Sequence, residues 1–317
     1  MKFIEPSVEI IQQGPGIDGM MKIIELAGRT AYKSEDHITE DSAKKFVKML
    51  KQKNHGAALE HGTCYLSIPY EVWGEDSLDW ILKTNPYIYY DDDFYNNNIN
   101  VTTNYRVLVE EGLEGLLDYM VEPTELQFKH GAFLRRITVK FTCDRGVSHE
   151  FVRHRVFSFL QESTRYCNYS KDKFGKEITF IIPRWIHDIQ EDIASTVDPL
   201  TYDDRSEFRK YQGKRLMDML CLYDRTVAQY MNTLQNIEDC YLDSTTQEDG
   251  TKLVPQQARQ ILPNCLKTEL VMTGTVEQWN GFFKLRCAPN AHPDARYLAE
   301  QLHKQFIDNH YVQEIKE

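Results

Sequence analysis

RRITVKFTCDRGVSHEFVRHRVFSFLQESTRYCNY, from Arg135 to Tyr169, is the stretch on which the reading of the fold turns. Its first nine residues, Arg135–Cys143, alternate apolar with polar side chains, the period of a half-buried strand. Asp144 follows as a good N-cap, and the pattern predicts a helix over Arg145–Val156. A strand handed directly to a helix, among strands and helices that keep no βαβ rhythm, predicts an α+β fold: a mixed or antiparallel sheet flanked by helices. The second half of the stretch concentrates chemistry. Arg145, Arg153, Arg155 and Arg165, with Arg136 upstream, stand among two histidines and five aromatic rings. Guanidinium forks beside flat rings suit a ligand that carries both phosphates and heterocycles.

Upstream, apolar periodicity predicts a helix capped by Asp18 and running to about Ala31, and a second from about Glu40 to Asn54, capped by Thr39 and carrying Phe46, Val47 and Leu50 on one face. HGAALEHG then reads as a loop with His55, Glu60 and His61, and Thr63–Ile68 as a strand. Tyr70–Glu122 is rich in Asp, Asn and Tyr; it reads as an acidic surface insertion, helical from about Asn104. Its clustered aspartates lack a histidine or a spaced partner, so they specify no metal. Downstream, Lys171–Ile182 reads as a turn and strand. Ser206–Gln235 reads as a long amphipathic helix with a stripe of Phe208, Met217, Leu220, Tyr223, Val227, Tyr230, Met231 and Leu234, for core or subunit packing. Pro255 opens a short helix, Thr275 and Gln278 form a capping box for a helix to about Arg286, and Asp294–Asn309 is the last helix. The whole, 1–317, reads as one catalytic domain with the acidic insertion at about 70–130.

Composition sets bounds. With 41% hydrophobic residues the chain can bury a sizeable core, and it contains no run of the ~20 apolar residues a membrane span needs. The N-terminus lacks the pattern of a signal peptide, and seven cysteines without a CxxC read as reduced, buried thiols, so the expectation is a cytoplasmic protein. The net charge of −11 is uneven: Glu71–His130 holds 13 acidic against 3 basic residues, whereas Gly131–Ile186 holds 11 basic against 5 acidic. The basic block, at +6, can receive an anionic ligand, while the acidic total argues against general nucleic-acid binding.

On a helix, Arg153, His154 and Arg155 would sit 100° apart and fan over about 200°. They cannot then meet one small group; either the helix lies between two ligands or subunits, or it is a solvated end with Glu150 paired to Arg153 or His154. Ser163-Thr164-Arg165 reads as a phosphate-holding turn, with a plain polar turn as the alternative. Arg259 and Arg286 are isolated cations on apolar segments, and His61 sits in a Gly-flanked loop. There is no Walker loop, GxGxxG, GxSxG or HExxH. A single-stranded RNA-binding module using the Arg/aromatic stretch 133–186 stays open as a second reading, to be recognised by steep salt dependence. A serine hydrolase built on Ser163 would need a His/Asp pair that the sequence does not display.

The spacing RHR-x7-S, Arg153-His154-Arg155 through Ser163, resembles the signature of flavin-dependent thymidylate synthases. LEHG (Leu59–Gly62), ARQILP (Ala258–Pro263) and FFKLRCAPNAH (Phe282–His292) resemble further segments of that family in the same order, so the resemblance covers roughly His55–Ile68 and Arg135–Leu302. It implies reductive methylation of dUMP to dTMP, with methylenetetrahydrofolate as carbon donor and NADPH reducing a bound FAD. It also implies a homotetramer with sites at subunit interfaces and no nucleic-acid or membrane partner. By this resemblance His61, Arg153, His154 and Arg155 contact FAD, with His292 and Asn280 as further flavin contacts. Ser163, Arg165 and Arg259 hold dUMP, Gln161 faces it, and Glu150, Glu162 and Thr164 complete the substrate set. Arg286 lies near the pyrimidine, where a cation stabilises negative charge developing on the ring. Arg286 and Ser163 are the catalytic candidates; no poised base stands beside Ser163, so it reads as a phosphate ligand rather than a nucleophile. Glu150 departs from the pattern, since some members carry glutamine there and a carboxylate near phosphate repels.

Overall fold

A computed structural model describes residues 1–73, 76–188, 206–247 and 252–312. Its strands are β1 (Lys2–Ile4), β2 (Ser7–Ile11), β3 (Thr63–Pro69), β4 (Tyr89–Asp93), β5 (Asn98–Asn104), β6 (Arg136–Asp144), β7 (Ser158–Gln161), β8 (Thr179–Ile181) and β9 (Lys267–Thr275). They form a four-stranded sheet in the order β2-β6-β9-β7, a three-stranded sheet β3-β5-β4 and a parallel pair β1-β8. β2 with β6, β7 with β9, and both pairs of the three-stranded sheet are antiparallel. Helices flank these sheets, so the α+β expectation holds.

The chain packs as two compact units, one of Met1–Pro6, Asp144–Val147 and Thr164–Lys267, the other of Ser7–Cys143, Ser148–Ser163 and Thr268–Glu317. The larger unit holds both larger sheets. Helices Gly16–Tyr32 and Ser42–Gln52 bury Met20, Ile24, Phe46, Val47 and Leu50 against Leu66, Ile68, Ile99 and Val101 of β3 and β5. The first of these helices starts at Gly16 without a side-chain cap, leaving Asp18 in its first turn rather than at the cap. The second is shorter than expected and has no side-chain cap; at its start Thr39 N donates to Ser42 Oγ, which donates to the Thr39 carbonyl. A second aromatic cluster joins Phe141, Phe151, Phe157, Trp279 and Phe282, with Trp279 Nε1 donating to the Ile137 carbonyl at 3.1 Å. Helix Val276–Arg286 carries Trp279 and Phe282, and its Thr275–Gln278 capping box forms as the sequence predicts.

The acidic segment contains more structure than one helix. Asn104 caps helix Tyr105–Glu110 as expected, but the preceding residues form β4 and β5, and β5 is the central strand of its sheet. Its polar side chains are buried because they are partnered: Thr102 Oγ1 accepts from Leu134 N, and Thr103 Oγ1 donates to the Tyr87 carbonyl.

In the smaller unit the long helix Ser206–Thr246 continues well past the expected Gln235. It buries Leu234, Glu238, Tyr241 and Thr245, a 3.6-period stripe, against Tyr169, Ile178 and Phe180. Glu238 tolerates burial because its carboxylate accepts from Ile178 N at 2.6 Å. The Phe208 side chain lies outside the described set. Cys64, Cys143 and Cys167 are buried thiols as expected, whereas Cys221 and Cys240 are exposed on the long helix.

Candidate active site

The helix after Asp144 ends at Phe151, not Val156. Its start is as expected: Asp144 Oδ1 accepts from Val147 N at 2.7 Å. Its end is decided by Arg286, the last residue of helix Val276–Arg286. Arg286 Nη2 donates to the carbonyl of Glu150, Nη1 to the Glu150 carboxylate at 2.8 Å, and Nε to His154 Nε2 at 2.9 Å. A guanidinium thus takes the carbonyl that a continuing helix would give to His154 N, which instead bonds to Phe151 O. Arg153, His154 and Arg155 therefore lie on a turn beyond the helix, and the helical fan of 100° steps does not apply.

Within this turn Arg153 is 71% exposed and pairs with Glu150 Oε1 at 3.4 Å, and Arg155 is exposed. His154 is half-buried, its ring 5.0 Å from that of Phe282. Burial first, and the Arg286 cation second, lower its pKa to about 4. Because Nε2 accepts from Arg286, the proton of the neutral ring sits on Nδ1. The hydrogen bond from Arg286 holds the Glu150 carboxyl below its ordinary range.

His61 is fully enclosed rather than on an open loop. Its Nδ1 meets Thr273 Oγ1 at 2.8 Å, Thr273 Oγ1 meets Thr138 Oγ1 at 2.8 Å, and its Nε2 has no hydrogen-bond partner. Burial, with Arg136 close by, lowers its pKa to about 3. Thr138, Thr273 and the part-buried Arg136 are the supports of His61 that sequence reasoning did not assign. In the alternation of β6, Thr138 falls with the polar residues, and only the pairing of β6 beside β9 brings it to Thr273.

Gln161 ends β7, its amide donating to Ser148 Oγ at 2.8 Å and Thr268 Oγ1 at 3.1 Å. Glu162 N bonds to Glu269 O and Ser163 N to Ala31 O. The backbone N–H groups of Glu162 and Ser163 are thus engaged within the fold. Glu162 is buried, and next to it Glu269 binds Lys33 Nζ at 2.6 Å and Lys140 Nζ at 3.2 Å. Burial is the largest single influence on Lys33 and lowers its pKa, but the Glu269 hydrogen bond and the charges of Glu269, Glu162 and Glu35 together outweigh it, and the ammonium is held charged. This Lys–Glu cluster was not foreseen; its members are 236 residues apart in sequence and carry no local signal.

The remaining candidates fall elsewhere. In the smaller unit Thr164 is buried and its Oγ1 accepts from Arg259 Nη1 at 3.4 Å, while exposed Arg165 lies over the Tyr166 ring. In the larger unit His292 is 52% exposed at the start of the last helix, 3.7 Å from Asp294. Asn280 lines a separate groove of about 760 Å³ with Phe128, Arg135 and Tyr311. The structure thus gathers Glu150, Arg153, His154 and Arg286 into one contact network, with His61 and Asn280 outside it.

The family model described as thymidylate synthase complementing protein matches residues 97–310. Among curated proteins, the flavin-dependent thymidylate synthase of Mycobacterium marinum is 26% identical over 181 residues, 56% of this chain and 61% of the relative. That of Pyrococcus furiosus is 27% identical over 180 residues, 56% of this chain and 57% of the relative. The match to the first of these relatives spans only 61% of its length. Among solved structures, the UMP/dUMP methylase PolB from Streptomyces cacaoi bound with 5-Br dUMP aligns over 97% of this chain and 93% of that one, at 14% identity and a TM-score of 0.40, too low to lend the fold support.

Proposed function

The chain belongs to the thymidylate synthase complementing protein family, and from that premise we propose that it is a flavin-dependent thymidylate synthase that methylates dUMP to dTMP. Methylenetetrahydrofolate supplies the carbon, and NADPH reduces the flavin. The observation that carries the reading is the Arg153-His154-Arg155 turn: two exposed guanidinium groups flank a neutral, half-buried imidazole. That donor set fits an anionic, aromatic cofactor. FAD, when bound, supplies the hydride chemistry; the protein's part is to orient, exclude water and provide charge. Arg153, His154 and Arg155 are assigned to the flavin, with His292 at the edge. The orphaned Nε2 of His61 is a buried donor or acceptor that a bound group can satisfy.

Ser163, Thr164, Arg165 and Arg259 are assigned to the dUMP phosphate through their hydroxyls and guanidinium forks. Arg286 is assigned to the pyrimidine: two of its five N–H groups remain beyond the three that face Glu150 and His154. Exposed Met217 and Leu222 on the long helix support subunit packing, in keeping with a homotetramer. No helix among the described residues is long and apolar enough to cross a membrane.

The test is the visible absorption spectrum of purified protein, followed by FAD titration. A flavin spectrum, or saturable uptake of added FAD, is expected. Colourless protein that binds no FAD would remove the reading and favour the RNA-binding alternative.

A further inference from the structure

Glu150 places a carboxylate beside a turn otherwise suited to anions, and it sits 28% exposed, with water on one side and Arg286 on the other. Its partners account for it. Arg286, 14% exposed, directs all three guanidinium nitrogens at the segment Glu150–His154: one at the Glu150 carboxylate, one at the Glu150 carbonyl, one at His154 Nε2. The other carboxylate oxygen faces Arg153. Arg286 is itself held on a well-fixed element, since its helix is capped by Thr275 and packed through Trp279 and Phe282. The fork geometry of a guanidinium is rigid, so fixing Nη1 against a carboxylate also fixes where Nε points.

We propose that Glu150 is a positioning residue: its carboxylate orients the Arg286 guanidinium, and Arg286 in turn holds the Arg153–Arg155 turn in place and His154 in its Nδ1–H form. Glu150 then does not contact the nucleotide. The clamp itself follows from the contacts alone; its consequence for turnover rests on the function proposed above.

The test separates reach from charge. Glu150→Gln keeps an oxygen at the same reach without the charge, Glu150→Asp keeps the charge but is one methylene short, and Glu150→Ala has neither. The first readout needs no activity: two-bond proton–nitrogen spectra of histidine-labelled protein, with the His154 signal identified by its loss in His154→Gln. The native protein and Glu150→Gln should show the Nδ1–H tautomer. Glu150→Asp and Glu150→Ala should show a mixture of tautomers, with His154 titrating closer to its ordinary value near 6.5. Should Glu150→Ala fail to fold, the Gln and Asp pair carries the comparison.

The second readout is turnover with dUMP. Loss of positioning should lower kcat by roughly tenfold to a hundredfold in the Asp and Ala variants, with nucleotide KM little changed and Gln near native. An unaltered His154 signal in Glu150→Ala and Glu150→Asp would overturn the proposal. So would a Glu150→Gln variant whose nucleotide KM falls at unchanged kcat, because that would place the carboxylate against the nucleotide. A native protein that shows the tautomer pattern yet never converts dUMP would refute the function and leave the clamp standing.

Discussion

His154 accepts a hydrogen bond from the Arg286 guanidinium, a group that only donates, so its own proton is confined to Nδ1. His61 is neutral for a different reason, enclosure beside Arg136. Both have folded-state pKa values, about 4 and about 3, below the ordinary 6.5. The unfolded chain therefore binds protons that the folded one refuses as pH falls below about 6.5. Stability should be level above that value and decline from about pH 6.5 toward 4, as read by urea midpoints; His61→Asn should flatten part of the decline. A midpoint unchanged between pH 7 and 4.5 would contradict neutral burial of both rings. At Ser163 the backbone N–H donates to the Ala31 carbonyl, and the hydroxyl is the group assigned to the phosphate. Ser163→Ala should weaken dUMP binding by about 1–3 kcal/mol, the cost of one charge-assisted hydrogen bond. Turnover should stay measurable at saturating nucleotide. Complete loss of turnover with normal nucleotide binding would make Ser163 part of the chemistry.

Elements were legible where their signals are local. The alternation of Arg135–Cys143 is visible within the segment and the Thr275–Gln278 box is satisfied within one turn; both elements form, the strand as Arg136–Asp144. Thr275→Ala should therefore cost about 1 kcal/mol of stability in chemical denaturation, the typical worth of an N-cap. Because the same helix ends in Arg286, its fraying should also disturb the His154 tautomer signal; a stability loss with no such change would mean the helix end is held independently of its cap. The end of the Arg145–Phe151 helix was not legible, because the group that stops it comes from a residue 136 positions away. The strands β4 and β5 were missed for a related reason. NINVTTN reads as a polar loop, and only partners such as Leu134 and Tyr87 make its burial affordable. The site shows the same division: the Arg-His-Arg turn and the Ser163 turn stand out in sequence, whereas the Thr138–Thr273 support of His61 and the Lys33–Glu269–Lys140 cluster exist only once strands are paired.

Across the whole molecule, the basic block and the acidic block read from composition both resolve into folded structure, and neither is a bare tail. The aromatic cluster around Trp279 and Phe282 joins the strand before the Arg-His-Arg turn to the helix that ends in Arg286. Truncating it with Phe282→Ala should cost roughly 3–5 kcal/mol and disturb both sides of the clamp together. The exposed apolar residues of the long helix lead to an expected mass of four chains by light scattering, and a monomer that turns over would contradict the subunit-interface part of the proposal. The function itself is tested most directly by supplying purified protein with dUMP, methylenetetrahydrofolate, NADPH and FAD and measuring dTMP. The account predicts dTMP formation that requires all four and is abolished in Arg286→Ala; flavin-loaded, folded protein that forms no dTMP, or forms it equally without FAD, would contradict it.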